Sequence, residues 1–174
     1  KSKAGNKLGA VKNKAGVTIE EPKDKAEEFN QYFASVFTDE DQFNIPEPEV
    51  IYKGREDEKV NEIQISEQDL LNRLRLLHPN KAAGPDEIVP RLLKALSDEI
   101  SWPIAHILQK SLDEGDVPVD WKQSNVSPIY KKKGDKSLAD NYRPISLTSQ
   151  IGKICESIIR DTIVAHLEKF NLIK

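Results

Sequence analysis

The chain has no methionine, a single cysteine and three histidines in 174 residues. Lone Cys155 excludes an internal disulfide framework and any multi-cysteine zinc site, and within an apolar-periodic segment it reads as a packed thiol. The absence of methionine leads us to expect that Lys1 is not a translation start and that the chain is a piece of something longer. No apolar run approaches the roughly 20 residues that a membrane span needs, and Lys1 to Lys25 holds no apolar block of the signal-peptide kind. The expectation is an intracellular protein with no membrane partner. Phosphate-cradling GxxxxGK[ST], GxGxxG and the metal-binding HExxH are all missing. His78, His106 and His166 lie far apart, so their spacing supports neither a metal cluster nor a histidine triad.

What is present is a segregation of charge. The formal net charge is only -3, but Asp39 to Asp69 holds eleven acidic and three basic residues, a balance of -8. Lys122 to Lys153 holds seven basic and two acidic residues, a balance of +5. A polyanion responds to such local concentration and not to the total.

Periodicity gives the elements. Lys1 to Gly16 is rich in lysine, glycine and asparagine without a period, and is expected to be mobile. Asp24 to Phe37 places Ala26, Phe29, Phe33, Val36 and Phe37 at helical spacing, and this aromatic face needs a partner surface. Thr38 to Asn61, with Pro46, Pro48, Gly54 and most of the acidic excess, reads as an extended linker. Ser66 then caps a helix carrying Leu70, Leu71, Leu74 and Leu77, which ends near His78 and Pro79.

The turn NKAAGPD follows, in which Gly84 permits positive φ and Pro85 suits a turn or helix start. Two helices are predicted over Glu87 to Leu96 and Ser97 to Leu112, with Pro90 and Pro103 near their beginnings. Trp121 to Lys131 reads as a strand with Val126 and Ile129 toward the buried side, Lys131 to Asn141 as a loop tip, and Tyr142 to Leu147 as the returning strand. Thr148 or Ser149 caps a last helix with apolar positions from Ile151 to Leu167. The sum is an α+β fold, helix-rich with one antiparallel hairpin, divided into an N-terminal extension over 1–62 and a second part over 63–174.

The basic hairpin is the feature with chemistry. Lys131, Lys132, Lys133, Lys136 and Arg143 can converge on one surface, where ammonium groups act as point charges and the guanidinium holds a phosphate through two donors. A lysine run at a turn is also the ordinary way to solvate a loop and keep a hairpin edge from pairing. Composition leaves both readings open.

The words of the sequence are more specific. KAAGPDEIVPRLLKAL, then GDVPVDWK, SPIYKKKGD, NYRPISL and TSQIGKICE occur in this order, continuously from about Lys81. This series resembles the N-terminal fingers region of reverse transcriptases from non-LTR (LINE-like) retrotransposons. The earlier helix KAEEFNQYFASVF looks like the segment that joins endonuclease to polymerase in such elements.

The resemblance implies that hairpin residues Lys131, Lys132, Lys133 and Lys136, and above all Arg143, contact template and nucleotide phosphates. It implies that Gly84, Pro85 and Asp86 form a turn that positions template RNA, although a purely structural turn fits those residues equally well. It implies as partners an RNA template, a DNA primer, deoxynucleotide triphosphates and the palm and thumb of the same polypeptide, with location in nucleus and cytoplasm.

Mg²⁺ is expected for a complete enzyme, held by palm carboxylates that this sequence lacks, so neither metal site nor catalytic residue is expected here. The chain alone should be inactive. A truncated or degenerate copy acting only as a nucleic-acid or protein binding module is the alternative.

Overall fold

The structure is a computed structural model that describes residues 8–38, 44, 45, 47, 55, 59, 60 and 62–172. The linker expected over 38–61 lies mostly outside them. Among the described residues the chain divides into two compact units that do not follow chain order. One joins the residues up to Glu47 with Val126–Ser146; the other holds the remainder.

The first unit begins with strands β1 (Val11–Lys12) and β2 (Thr18–Ile19), paired antiparallel with Val11 opposite Ile19. Asn13 folds the turn between them, its Oδ1 accepting from the amides of Ala15 (3.0 Å) and Val17 (2.9 Å). Helix α1 (Pro22–Ser35) follows, with proline in its first turn where no amide is lost. Strands β3 (Asn125–Tyr130) and β4 (Tyr142–Leu147) form the second hairpin, linked through a 3-10 turn at Ala139–Asn141. The core is small and aromatic: Val11, Phe29, Phe33, Ala139 and Tyr142 are buried together. Phe29 meets Tyr142 edge-to-face at 4.9 Å, the geometry that ring quadrupoles favour.

Three expectations are corrected here. The fold is α+β and helix-rich as read from the pattern, with about 51% of the described residues helical, but among the described residues there are two small antiparallel hairpins, not one. The segment from Leu8 to Gly16, expected to be mobile, supplies fully buried Val11, and the Lys12 amide donates to the Ser137 carbonyl at 2.7 Å. Val126 and Ile129 are 54% and 48% exposed, because Tyr142 takes the buried position and Tyr130 packs against it at 5.5 Å.

The second unit is helical: α2 (Glu67–Leu76), α3 (Pro90–Ala95), α4 (Ser97–Glu114), the single turn α5 (Val119–Lys122) and α6 (Gln150–Lys169). Ser66 and Ser149 cap α2 and α6 by accepting from the amides of Asp69 (3.4 Å) and Gly152 (3.3 Å). Leu70, Leu74, Leu93, Ile104, Leu108, Ile154 and Ile158 bury the apolar stripes of four helices in one aliphatic core. Arg73 ties α2 to α6 by donating to Asp69 (2.9 Å), Ser157 (2.8 Å) and Asp161 (2.9 Å). Burial opposes its charge, but the two carboxylates more than offset this and raise its pKa.

Two details differ from the pattern. Pro103 stands inside α4, where an interior proline costs about 3 kcal/mol. Burial of Ile104, Ala105 and Leu108 just beyond it carries the helix through. Trp121 lies in α5 and not in a strand; it is half-buried against the aliphatic core, and β3 starts four residues later.

Candidate nucleic-acid interface

The loop between β3 and β4 is closed at its base by the Lys131 amide donating to the Asn141 carbonyl at 2.8 Å. Its interior is held by side chains that the sequence reading had not singled out. Tyr130 Oη donates to the Gly134 carbonyl at 2.6 Å, Tyr142 Oη to the Lys136 carbonyl at 2.8 Å and Asn141 Nδ2 to the Asp135 carbonyl at 2.9 Å. The two tyrosines thus have buried or half-buried rings in the aromatic core while their hydroxyls fix the loop backbone. The signal available beforehand was their position on either side of the lysine run, one at each strand end.

Gly134 has φ +84°, and a Cβ there would stand 2.4 Å from Asn141 Oδ1, so both conformation and space call for glycine. Lys132 also adopts positive φ, +60°, an unfavourable conformation for a residue with a Cβ, located at the tip. The Ser137 amide donates to Asp135 Oδ1 at 2.8 Å and holds that carboxyl below the usual carboxylate range.

All five predicted cations are solvent-exposed on this one segment. Lys131 Nζ donates to the Asp140 carbonyl at 2.7 Å, and Lys136 Nζ lies 5.4 Å from the centre of the Tyr130 ring. Neither is bound to a carboxylate among the described residues. The side chains of Lys132, Lys133 and Arg143 have no hydrogen-bond or ion-pair partner among the described residues. The first β4 residue, Tyr142, points inward, and alternation along the strand places Arg143 outward. The loop therefore offers unneutralised cations on a backbone braced from beneath.

The turn at Gly84, Pro85 and Asp86 belongs to the helical unit. Glycine is required there by close approach and not by positive φ. A Cβ at Gly84 would stand 2.5 Å from the Ser149 amide nitrogen and 2.6 Å from the Thr148 carbonyl carbon. Gln150 Nε2 donates to the Ala82 carbonyl at 3.0 Å, so the turn rests on the start of α6. Asp86 Oδ1 accepts from the Ile88 amide at 3.2 Å, whereas buried Oδ2 has no partner among the described residues. The strained position is Glu87, at φ +56°.

Among the described residues no three histidine, cysteine or carboxylate side chains gather where they could hold a metal ion. The described residues thus do not fit a Mg²⁺ site.

No protein-family model matches the chain. It is 31% identical over 97 residues to the RNA-directed DNA polymerase from mobile element jockey of Drosophila melanogaster, which covers 56% of this chain and 11% of that protein. It is 30% identical over 98 residues to the transposon TX1 uncharacterized 149 kDa protein of Xenopus laevis, covering 56% and 7%. A probable RNA-directed DNA polymerase from transposon X-element of Drosophila melanogaster is 34% identical over 89 residues, covering 51% and 10%. The chain spans about a tenth of the length of the curated relatives it matches. The resemblance to reverse transcriptases of non-LTR transposable elements holds over about half of the chain.

Proposed function

We propose that this chain is the fingers portion of a retrotransposon RNA-directed DNA polymerase, with residues 1–62 as its N-terminal extension and 63–174 as the fingers-like part. Its β3–β4 loop binds template and nucleotide phosphates during DNA synthesis on RNA. The observation that carries the reading is the exposed, unpaired set Lys132, Lys133 and Arg143 on a braced loop, in a chain similar to such polymerases.

Exposed cations held apart from carboxylates remain available to an incoming anion, and a loop already fixed by Tyr130, Tyr142 and Asn141 loses little entropy on binding. Lysines 131, 132, 133 and 136 supply charge, and Arg143 adds a planar fork that matches two phosphate oxygens. In the complete enzyme these groups would offset triphosphate charge while other domains of the same polypeptide supply the metal-binding carboxylates. The partners are accordingly RNA template, DNA primer and deoxynucleotide triphosphates, within the cell.

Fluorescence anisotropy of the 174-residue chain with labelled single-stranded RNA tests this. Arg143→Ala and Lys132→Ala are each expected to weaken binding and to flatten the slope of log affinity against log salt by about 0.7 for each phosphate that is no longer neutralised. Unchanged affinity and slope in both variants would overturn the assignment.

A further inference from the structure

The cationic loop is braced from two directions, and one of them lies outside the hairpin that carries it. Tyr130, Asn141 and Tyr142 hold the carbonyls of Gly134, Asp135 and Lys136 from within the hairpin. The next residue, Ser137, is held from far upstream. The Lys12 amide donates to its carbonyl at 2.7 Å, and Lys12 pairs in parallel with Leu138.

Strand β1 is suited to this by the alternation of its backbone. The Asn13 amide turns toward β2 and donates to the Val17 carbonyl at 3.0 Å, so the Lys12 amide faces the opposite side and meets the loop. Val11, its neighbour, is fully buried and anchors the strand among Phe29, Phe33, Ala139 and Tyr142. The arm formed by Lys136, Ser137 and Leu138 is thus tied at successive carbonyls, the first by Tyr142 and the second by β1. That arm follows directly on the tip that bears Lys132 and Lys133.

Cations fixed in place before an anion arrives bind it more tightly than cations that must order on contact. From this we infer that β1 is a positioning element for the cationic loop: the Val11 side chain and the Lys12 backbone amide hold the 136–138 arm in its phosphate-binding geometry, without use of the Lys12 charge. The inference rests on the phosphate reading proposed above and assigns residues outside the hairpin.

Lys12→Pro and Lys12→Ala, each made in the 174-residue chain, separate the amide from the charge. Both lose the ammonium, but only proline loses the N–H. Because that N–H points away from β2, the β1–β2 pairing keeps its own bonds. In anisotropy with labelled oligouridylate, Lys12→Pro is expected to bind about fivefold more weakly than Lys12→Ala, the factor that one net backbone hydrogen bond corresponds to. Their salt slopes should be equal, since every loop cation is retained in both.

Carboxyl NMR supplies a signature of the arm itself. The Ser137 amide donates to Asp135 Oδ1 at 2.8 Å and is the main cause of that carboxyl's lowered pKa, so a released arm should raise Asp135 further in Lys12→Pro than in Lys12→Ala. If the proline variant loses the near-ultraviolet tyrosine dichroism of the aromatic core, Val11→Ala takes its place. It keeps the amide but loosens the anchor, and the same weakening and the same Asp135 shift are expected of it relative to the unaltered chain. Equal affinity of the two Lys12 variants overturns the inference and leaves the loop reading standing. A difference in affinity with identical Asp135 titrations overturns it as well, because the effect would then not run through the arm. Absence of RNA binding by the unaltered chain overturns both the loop reading and the inference.

Discussion

The aromatic unit and the helical unit solve the same problem, fixing a glycine-containing loop, with unlike materials. In the first, five buried residues include three aromatic rings, and two tyrosine hydroxyls reach out of the packing to hold the loop carbonyls of Gly134 and Lys136. In the second, nine buried residues form an aliphatic core, and the 80–86 turn is held by backbone lying on backbone at Ser149. A loop braced by side chains leaves its outer face to cations, whereas a turn pressed onto another segment gives up its freedom to position what flanks it. The small core also concentrates dependence on each member.

That contrast is most directly broken by core truncation. Phe29→Ala removes a ring that touches both Phe33 and Tyr142, and is expected to cost about 3–4 kcal/mol. Loss of near-ultraviolet tyrosine dichroism at a lower urea midpoint than in the parent chain would register it. An unchanged midpoint would mean that the aromatic cluster is not what holds the loop.

The two glycines sharpen the comparison at the next level. Gly84→Ala drives a methyl group into the Thr148–Ser149 backbone, which cannot rotate away, and should cost about 3 kcal/mol. Gly134→Ala meets only the Asn141 side chain but must hold φ at +84°, for about 1–2 kcal/mol. Chemical denaturation of both variants should rank them in that order; the reverse ranking would show that the 80–86 turn yields more easily than its packing implies.

The smallest difference concerns two carboxyls held below the ordinary range for different reasons. Asp161 is lowered by hydrogen bonds from charged donors, the Arg160 guanidinium first and Arg73 second, Asp135 chiefly by one from the neutral Ser137 amide. A lowered carboxyl stabilises the fold above its unfolded pKa, and this contribution disappears as pH falls through the folded value. Added salt screens the charge part of the guanidinium bonds but leaves a hydrogen bond from a neutral amide untouched. Carboxyl NMR titrations between pH 2 and 5, at low salt and in about 0.5 M salt, should therefore show salt moving Asp161 upward by more than it moves Asp135. Equal movement of the two would refute the distinction.

Much of the helical unit was legible because its cues are local. Ser66 three residues before Asp69, the Leu70 and Leu74 stripe and a capping serine before Gln150 each act within a turn or two of helix. The cations of the loop were legible for the same reason, as a run of residues beside a turn. What escaped depends on partners distant in the chain. Val11 reads as a stray apolar residue in a lysine-rich segment until Phe29, Phe33 and Tyr142 surround it. Val126 and Ile129 fit an inward face by hydropathy alone, and only the tyrosines at the strand ends displace them.

The pairing of Phe29 with Tyr142 also sets a clock for synthesis. More than a hundred residues separate the two rings, and at translation rates of 5–20 residues per second the second follows the first by roughly 5–20 s. For most of that interval the whole of α1 has been translated with its aromatic face and its partner has not. The aromatic unit thus becomes foldable only after the segments that build most of the helical one, and a bound chaperone during those seconds would find Phe29 and Phe33 uncovered.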